Sequence, residues 1–456
     1  MVAVKKEADE KTELQKLGNS AARRKISRAE REDHVKKLFE AIEADIPGFL
    51  KRPADQRLVQ ICIRYGTEEQ QKKIVASIED DLFSLSKNHF CKHTVVQIIR
   101  ASRKWKDFVY EKLKDHVPAL AQLKDGLAVV SELYNQEKKS SQKEFVSRLF
   151  SEELLEKTAE RLVGKAYLST EVSLQIVAEY TKKCRPGIVT LLLNELEEYL
   201  RENIAGIVSS REGVRMMHCF LRGCSGAGLS KLFSVFSPSI AQISCTEGGN
   251  LFSIFVLLSA AGSDEQHSVV SVFGESLGSV MVDSIGAGVA KYILTGKIVL
   301  SPDEKELLAV LEDHGQRERL LQSLKPHFLR LLEAEAKCLS QSLVVRSLSD
   351  IFHAFHCDVE AIEDTVSSTE KMRNASTRIF LSKLLKGPSS ADVSERILQT
   401  ASADVGEFCE KESVYLLSTI WNELPRLRGK IAEMVSGVGS SSEGMALLRN
   451  KIDSAV

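Results

Sequence analysis

From about residue 36 onward, apolar side chains recur at the spacing of amphipathic helices, and no run alternates apolar and polar as a half-buried strand does. Punctuation supports a succession of helices. Gly66 is placed to end one as the glycine just past its last turn. Thr67-Glu-Glu-Gln70 then opens the next as a capping box, the Thr hydroxyl and Gln side chain meeting unpaired N–H groups. Ser301-Pro302-Asp303-Glu304 opens another, with an N-cap serine, proline at the first helical position and acids in the first turn. The stretches 223–228 and 437–442, rich in Gly and Ser, are expected as interhelical loops.

The same pattern has a longer period. Gln56-Arg57-Leu58-Val59-Gln60-Ile61 is followed by Lys92-His93-Thr94-Val95-Val96-Gln97-Ile98 and by Leu127-Ala128-Val129-Val130-Ser131, so Arg57, His93 and Ala128 lie 36 and 35 residues apart. A second train places Arg215, Leu251 and Gly288 at intervals of 36 and 37. Repetition at this period means stacked helical repeats, each burying its apolar face on its neighbours. Ala128 and Arg215 are 87 residues apart, two periods plus an insertion expected around 137–142. Residues 1–35 are polar and read as a flexible or loosely helical tail ending in Arg23, Arg24, Lys25, Arg28 and Arg31, either a nuclear-import signal or an RNA-contacting arm.

Composition refines this picture. The 456 residues contain 43% hydrophobic side chains and only nine prolines, a globular and helix-permitting balance. The net charge of −1 hides an asymmetry: 30 Lys and Arg face 23 Asp and Glu in residues 1–150, against 32 and 40 in the remainder. A basic first third on a neutral chain points toward a polyanion. Nine cysteines without a CxxC pair read as reduced thiols. The most apolar stretch, 251–261, is about half a membrane span and is expected to be core, so no membrane role is expected.

The repeat residues resemble Pumilio repeats, and more closely the Puf-A (Penguin-type) branch of that family. The resemblance rests on Arg57-Leu-Val-Gln-Ile-Cys-Ile-Arg-Tyr-Gly-Thr-Glu-Glu-Gln70, Asp80-Asp-Leu-Phe-Ser-Leu-Ser-Lys87, Met217-His218-Cys219 and Ser441-Ser-Glu-Gly-Met-Ala-Leu-Leu448. It runs from about Lys36 to the C-terminus and is weak over 137–180. It implies an all-α fold of Pumilio-type repeats stacked into a two-armed, L-shaped, right-handed superhelix. The expected parts are a basic tail (1–35), Pumilio-like repeats (36–300) and a C-terminal helical arm (301–456). It also implies a nuclear, nucleolar protein that binds structured RNA or DNA with little sequence preference during pre-rRNA processing and large-subunit assembly, with pre-ribosomal proteins as partners.

In a sequence-reading repeat, two side chains four residues apart on one helix pair with a base edge, and the residue after the first stacks between bases. Gln56 and Gln60 with Arg57 satisfy this in the first repeat. The second repeat offers Lys92 and His93, or Thr94 and Gln97 one register on. The third offers Leu127, Ala128 and Ser131, which neither stack nor pair. Arg215 is a further candidate contact, and His218 is either a contact or core. With the code broken in most repeats, backbone contacts are expected to dominate. Candidates are Lys51, Arg52, Arg57, Arg64, Lys72, Lys73, Lys92, Arg100, Arg103, Lys104 and Lys106. Trp105 is either a base-stacking platform or an aromatic plug between helices.

No catalytic signature, metal site or cofactor is expected. Gly223-Cys-Ser-Gly-Ala-Gly228 lacks the lysine of a phosphate loop, and His353, His356 and Cys357 have no second ligand pair nearby. The competing readings are a HEAT- or armadillo-like protein scaffold and a translational repressor that recognises messenger RNA. A continuous basic stripe separates the first from an RNA binder.

Overall fold

The computed structural model describes residues 2–224, 226–261, 267–298, 308, 314–336, 342–355, 357, 362–366, 372, 374–387, 390–403, 408, 414–436 and 443–454. Among them the chain is helical without a strand, as the Pumilio-type repeat reading requires. It divides into two compact units, 1–199 with 215–224, and 200–214 with 225–456. The expected division at 300 falls inside the second of these, and the Ser301 helix start and the 437–442 loop lie outside the described residues.

The first unit begins with helices α1 (Val2–Ala21) and α2 (Arg28–Ile42), which pack on each other. Residues 13–35 are therefore not a loose tail: Ala21 and Val35 are buried, and Arg31 donates to Ala21 O at 3.1 Å and Arg23 O at 2.8 Å, closing the turn between the helices. Three-helix repeats follow. Each has a short helix, a central helix and an outer helix. The first comprises α3 (Ile46–Lys51), α4 (Pro53–Tyr65) and α5 (Glu68–Ile78). The second comprises α6 (Leu82–Lys87), α7 (Lys92–Ala101) and α8 (Arg103–Leu113). The third comprises α9 (Val117–Ala121), α10 (Lys124–Asn135) and α11 (Lys139–Leu149).

Local chemistry sets the boundaries. Pro53 occupies the first helical position of α4, where the lost N–H has no intrahelical partner anyway. The capping box from Thr67 to Gln70 forms in both directions, at 3.3 and 2.9 Å. Gly66 ends α4 as expected. Its backbone is extended, at φ −74° and ψ 166°, and a Cβ there would lie 2.3 Å from Cys62 O. The glycine is required by close approach, not by a positive φ.

The fourth repeat explains the irregular spacing. Its first helix, α12 (Glu152–Gly164), has 13 residues where α6 and α9 have 6 and 5. The extra length expected at 137–142 lies mainly there. The central helix α13 (Glu171–Thr181) supplies the missing member of the series. Helix α14 (Pro186–Val208) runs 23 residues without a break, so outer helix and next short helix are one element. Helix α15 (Arg211–Gly223) completes the central series of this part of the chain.

The second unit continues the repeat plan with α16 (Ala227–Phe236), α17 (Ile240–Ser244), α18 (Gly249–Ala260), α19 (His267–Glu275), α20 (Leu277–Val282) and α21 (Gly286–Thr295). Helix α18 is buried all round, from Leu251 to Leu258, as the apolar run foretold. No described helix is long and apolar enough to cross a membrane. Further helices, among them α22 (His314–Ala336), α23 (Ser342–Ala354), α24 (Glu363–Val366) and α25 (Ala375–Leu384), extend the unit, with Phe328, Phe352 and Phe380 fully buried.

Candidate nucleic-acid interface

The central helices α4, α7, α10 and α13 stack side by side, each in contact with the next. The sides of each helix that face its neighbours carry apolar residues, such as Leu58, Val59, Ile61 and Cys62 on α4. What remains uncovered is a narrow stripe at i, i+3 or i+4, and i+7. On α4 it is Arg57, Gln60 and Arg64; on α7 it is His93, Gln97 and Arg100; on α10 it is Ala128, Ser131 and Asn135.

This register corrects the expected code. Gln56 is 4% exposed, and its Nε2 donates to Leu50 O at 2.7 Å and to Cys91 Sγ at 3.3 Å. It ties the short helix to two central helices and presents nothing to a base. Gln60 remains on the stripe, half-buried, donating to Thr94 Oγ1 at 3.4 Å. Truncation of Gln56 to Ala leaves the buried Leu50 carbonyl only the weaker thiol donor of Cys91, at 3.5 Å. It is expected to cost about 1–3 kcal/mol of stability in a denaturant titration while leaving nucleic-acid affinity unchanged.

Lys92 is likewise spoken for. Its side chain is 12% exposed and its Nζ lies 2.6 Å from Asp125 Oδ1, which also meets His89 Nδ1 at 3.0 Å. Hydrogen bonds from Lys92, working against burial, hold the Asp125 carboxyl below its ordinary range. His93 is on the exposed stripe, its pKa lowered by partial burial and by the neighbouring Lys92 charge.

The last-turn position of the stripe is the informative one. It is Arg64 on α4, Arg100 on α7, Asn135 on α10, Lys182 just beyond α13 and Arg222 on α15, every one exposed. Four of these five carry a positive charge on helices about 10 Å apart. Lys182 and Arg222 act on the same ring: after burial, their charges are what lower the His218 pKa to about 4. His218 itself is 3% exposed, so it belongs to the core, while Arg215 on the same helix is half-buried. Lys182 and Arg222 were not foreseen. Counting seven residues on from Arg215 gives Arg222, but Lys182 required the register of α13, whose residues match the repeat weakly.

Arg100 has a second function. Its Nη2 lies 2.6 Å from Glu132 Oε2, whose side chain is 8% exposed. Burial opposes the Glu132 charge, but hydrogen bonds from Arg100 and Gln136 and the Arg100 charge outweigh it and hold the pKa below the usual range. Arg100, Arg103, Lys106 and Lys138 together line an open depression of about 440 Å³. Lys106 is 12% exposed and 3.1 Å from Glu137, so Arg100, Arg103 and Lys138 supply its accessible charge. Lys104 points elsewhere, pairing with Glu68 at 2.6 Å. Trp105 is the interhelical plug: it is 6% exposed and its Nε1 donates to Gln71 Oε1 at 3.0 Å.

The buried imidazole of His218 makes this face sensitive to acid. It stays neutral in the fold while the unfolded chain takes up a proton near pH 6.5. Stability is therefore complete above about pH 6.5 and falls as the pH drops toward about 4, by about 3 kcal/mol in all. Thermal melts between these limits are expected to show the loss, and His218→Gln to flatten it.

No family model matches the chain. In sequence it is similar to Pumilio homolog 3 of Rattus norvegicus, 24% identical over 386 residues, and of Homo sapiens, 24% identical over 388 residues. Each alignment covers 73% of this chain, and the chain spans 58% of the length of those relatives. In structure it is similar to human Puf-A, with TM-score 0.70, 16% identity, 97% of this chain and 100% of the other covered. The chain has the Puf-A fold. Human Puf-A has also been solved in complex with DNA, and that structure matches with TM-score 0.68 and 16% identity over 97% of this chain and 99% of the other. On α18 and α21 of the second unit the corresponding residues carry no charge: they are Leu258, which is buried, and Thr295. Among the described residues no group of His, Cys, Asp and Glu is placed to hold a metal ion, and His356 lies outside them.

Proposed function

We propose that this chain binds the phosphate backbone of structured RNA, and of DNA, along the central helices of its first unit, without reading a long sequence. The observation that carries this reading is the row formed by Arg64, Arg100, Lys182 and Arg222 at one position of the central helices, interrupted by Asn135 on α10. Cations at the end of a side-chain stripe reach phosphates, and such contacts position a nucleic acid without specifying its bases. Base recognition is reduced to a few positions, because Gln56 is buried and α10 offers only Ala128 and Ser131. This disfavours a messenger-RNA repressor. The similarity to a Puf-A structure solved with DNA supports DNA as a second ligand.

The resemblance to the Puf-A branch supports the finer reading. The RNA is a ribosomal precursor, the setting is large-subunit assembly in the nucleus and nucleolus, and pre-ribosomal proteins are partners. The role is binding, not catalysis.

The test is affinity for an RNA hairpin, a single-stranded RNA and a duplex DNA over a salt series. Affinities within roughly tenfold of one another, with a log–log salt slope of about −3 or steeper, are expected. Absence of binding at low salt would leave the protein-scaffold reading as the better one.

A further inference from the structure

The basic cluster ahead of α2 is not part of the row, and one hydroxyl sits at its end. Residues 23–27 connect α1 to α2 outside any helix, and Ser27 is exposed in an extended conformation, φ −65° and ψ 154°. Arg23, Arg24 and Lys25 precede it, all exposed and none paired through its side chain with another described residue. An exposed serine on extended backbone, with free cations two, three and four residues before it, presents what an arginine-directed protein kinase recognises: a reachable hydroxyl and charges for its acidic subsites.

The loop is also tied to the end of the basic row. Arg31 holds the loop at Arg23 O and lies 4.9 Å over the Tyr65 ring; Arg64 lies 5.2 Å from the same ring. A charge placed on Ser27 therefore acts on the part of the surface where Arg64 meets nucleic acid.

We propose that Ser27 is a phosphorylation site for a basophilic serine/threonine kinase, and that its phosphate weakens the grip of the first unit on nucleic acid. The regulatory half rests on the function proposed above. In the reaction the Ser27 Oγ forms a bond to the γ-phosphorus of the kinase's nucleoside triphosphate. The bond to the bridging oxygen breaks, the nucleoside diphosphate leaves, and the hydroxyl proton passes to the kinase's carboxylate base. The new group carries close to two negative charges. It cannot keep the present contact of Ser27 Oγ with Glu30 Oε2, 2.8 Å, because both would be anions. Glu30 swings out, and the phosphate takes over as the acceptor for the first-turn N–H groups of α2, so the fold is retained while the cluster around Arg23, Arg24, Lys25, Arg28 and Arg31 is neutralised.

The experiment treats the full chain with the catalytic domain of an arginine-directed kinase and Mg-ATP, maps the sites by mass spectrometry, and measures affinity for an RNA hairpin over a salt series. One phosphate on Ser27 is expected, absent from Ser27→Ala and slowed roughly tenfold in Arg23→Ala/Arg24→Ala. The phosphorylated chain is expected to bind roughly three- to tenfold more weakly at about 0.1 M salt, with a salt slope shallower by about one. Ser27→Asp, which keeps an N-cap acceptor, is expected to move affinity in the same direction. A peptide spanning 20–33 that is phosphorylated while the folded chain is not would overturn the site. Full modification with unchanged affinity and slope would overturn the regulation. Failure of the unmodified chain to bind RNA would count against the function proposed above, and the mass measurement would still decide the site.

Discussion

Reversing the charge at Arg64, Lys182 and Arg222 together is expected to lower affinity for structured RNA by roughly 10²–10³ at about 0.1 M salt, and to make the salt slope shallower by about two to three. The magnitude follows from counterion release, each lost phosphate contact removing about 0.7–0.9 from the slope. The three residues suit the test because they are exposed and none closes a fully buried ion pair: Lys182 meets the half-buried carboxylate of Glu179, at 2.8 Å, which also accepts from Gln175 Nε2. Arg100 is left out for the opposite reason. Without it, Glu132 would be a buried carboxylate held only by Gln136, and a loss of affinity would be confounded by a loss of stability of about 1–3 kcal/mol. Fluorescence anisotropy with a labelled hairpin, with circular dichroism of the variant as the folding control, checks it. A variant that binds like the parent would show that the row is an ordinary solvated helix edge.

Phe252→Ala is expected to destabilise the second unit by about 3–5 kcal/mol, the largest effect of a single change considered for this chain. Phe252 is fully buried on α18, and its ring meets Phe236 edge to face with centroids 4.9 Å apart. The helix has no solvent-facing side onto which the hole could relax, since every residue from Leu251 to Leu258 is buried. A urea titration followed by circular dichroism measures the loss. Phe252→Leu, which keeps most of the volume, should recover more than half of it. Equal stability for Ala and Leu would mean that the site collapses around the missing ring.

Much of the architecture was legible in one sequence because repetition is itself a physical signal. A period of 36 or so residues, with an apolar face that no single repeat can bury alone, requires neighbours of the same kind. The trains through Arg57, His93 and Ala128 and through Arg215, Leu251 and Gly288 therefore located six central helices. The seventh, α13, was hidden because α12 is longer than its counterparts and moves α13 out of register.

The interface was only partly legible. Residue type and period located Arg57, Arg64, Arg100 and Arg103 on or beside it, but they also drew in Gln56, Lys92 and Lys104. Those three could not be separated from the others by sequence, since what distinguishes them lies mainly in neighbouring repeats: Cys91, together with Leu50 on the preceding short helix, around Gln56, Asp125 beside Lys92, Glu68 beside Lys104. Trp105 was decided in the same way, by Gln71 on the neighbouring outer helix.

Helix identity, the capping at Thr67, the repeat period and the basic character of the first third are all readable without coordinates, because each depends on neighbours within one turn, on spacing along the chain or on summed composition. Which polar side chains are consumed in holding repeats together, and which form a row, depends on how the repeats pack. On a helix packed on two sides, a shift of one residue turns a side chain by about 100°. That is enough to move a glutamine from a base to a carbonyl, and to leave an arginine seven residues further on facing the solvent.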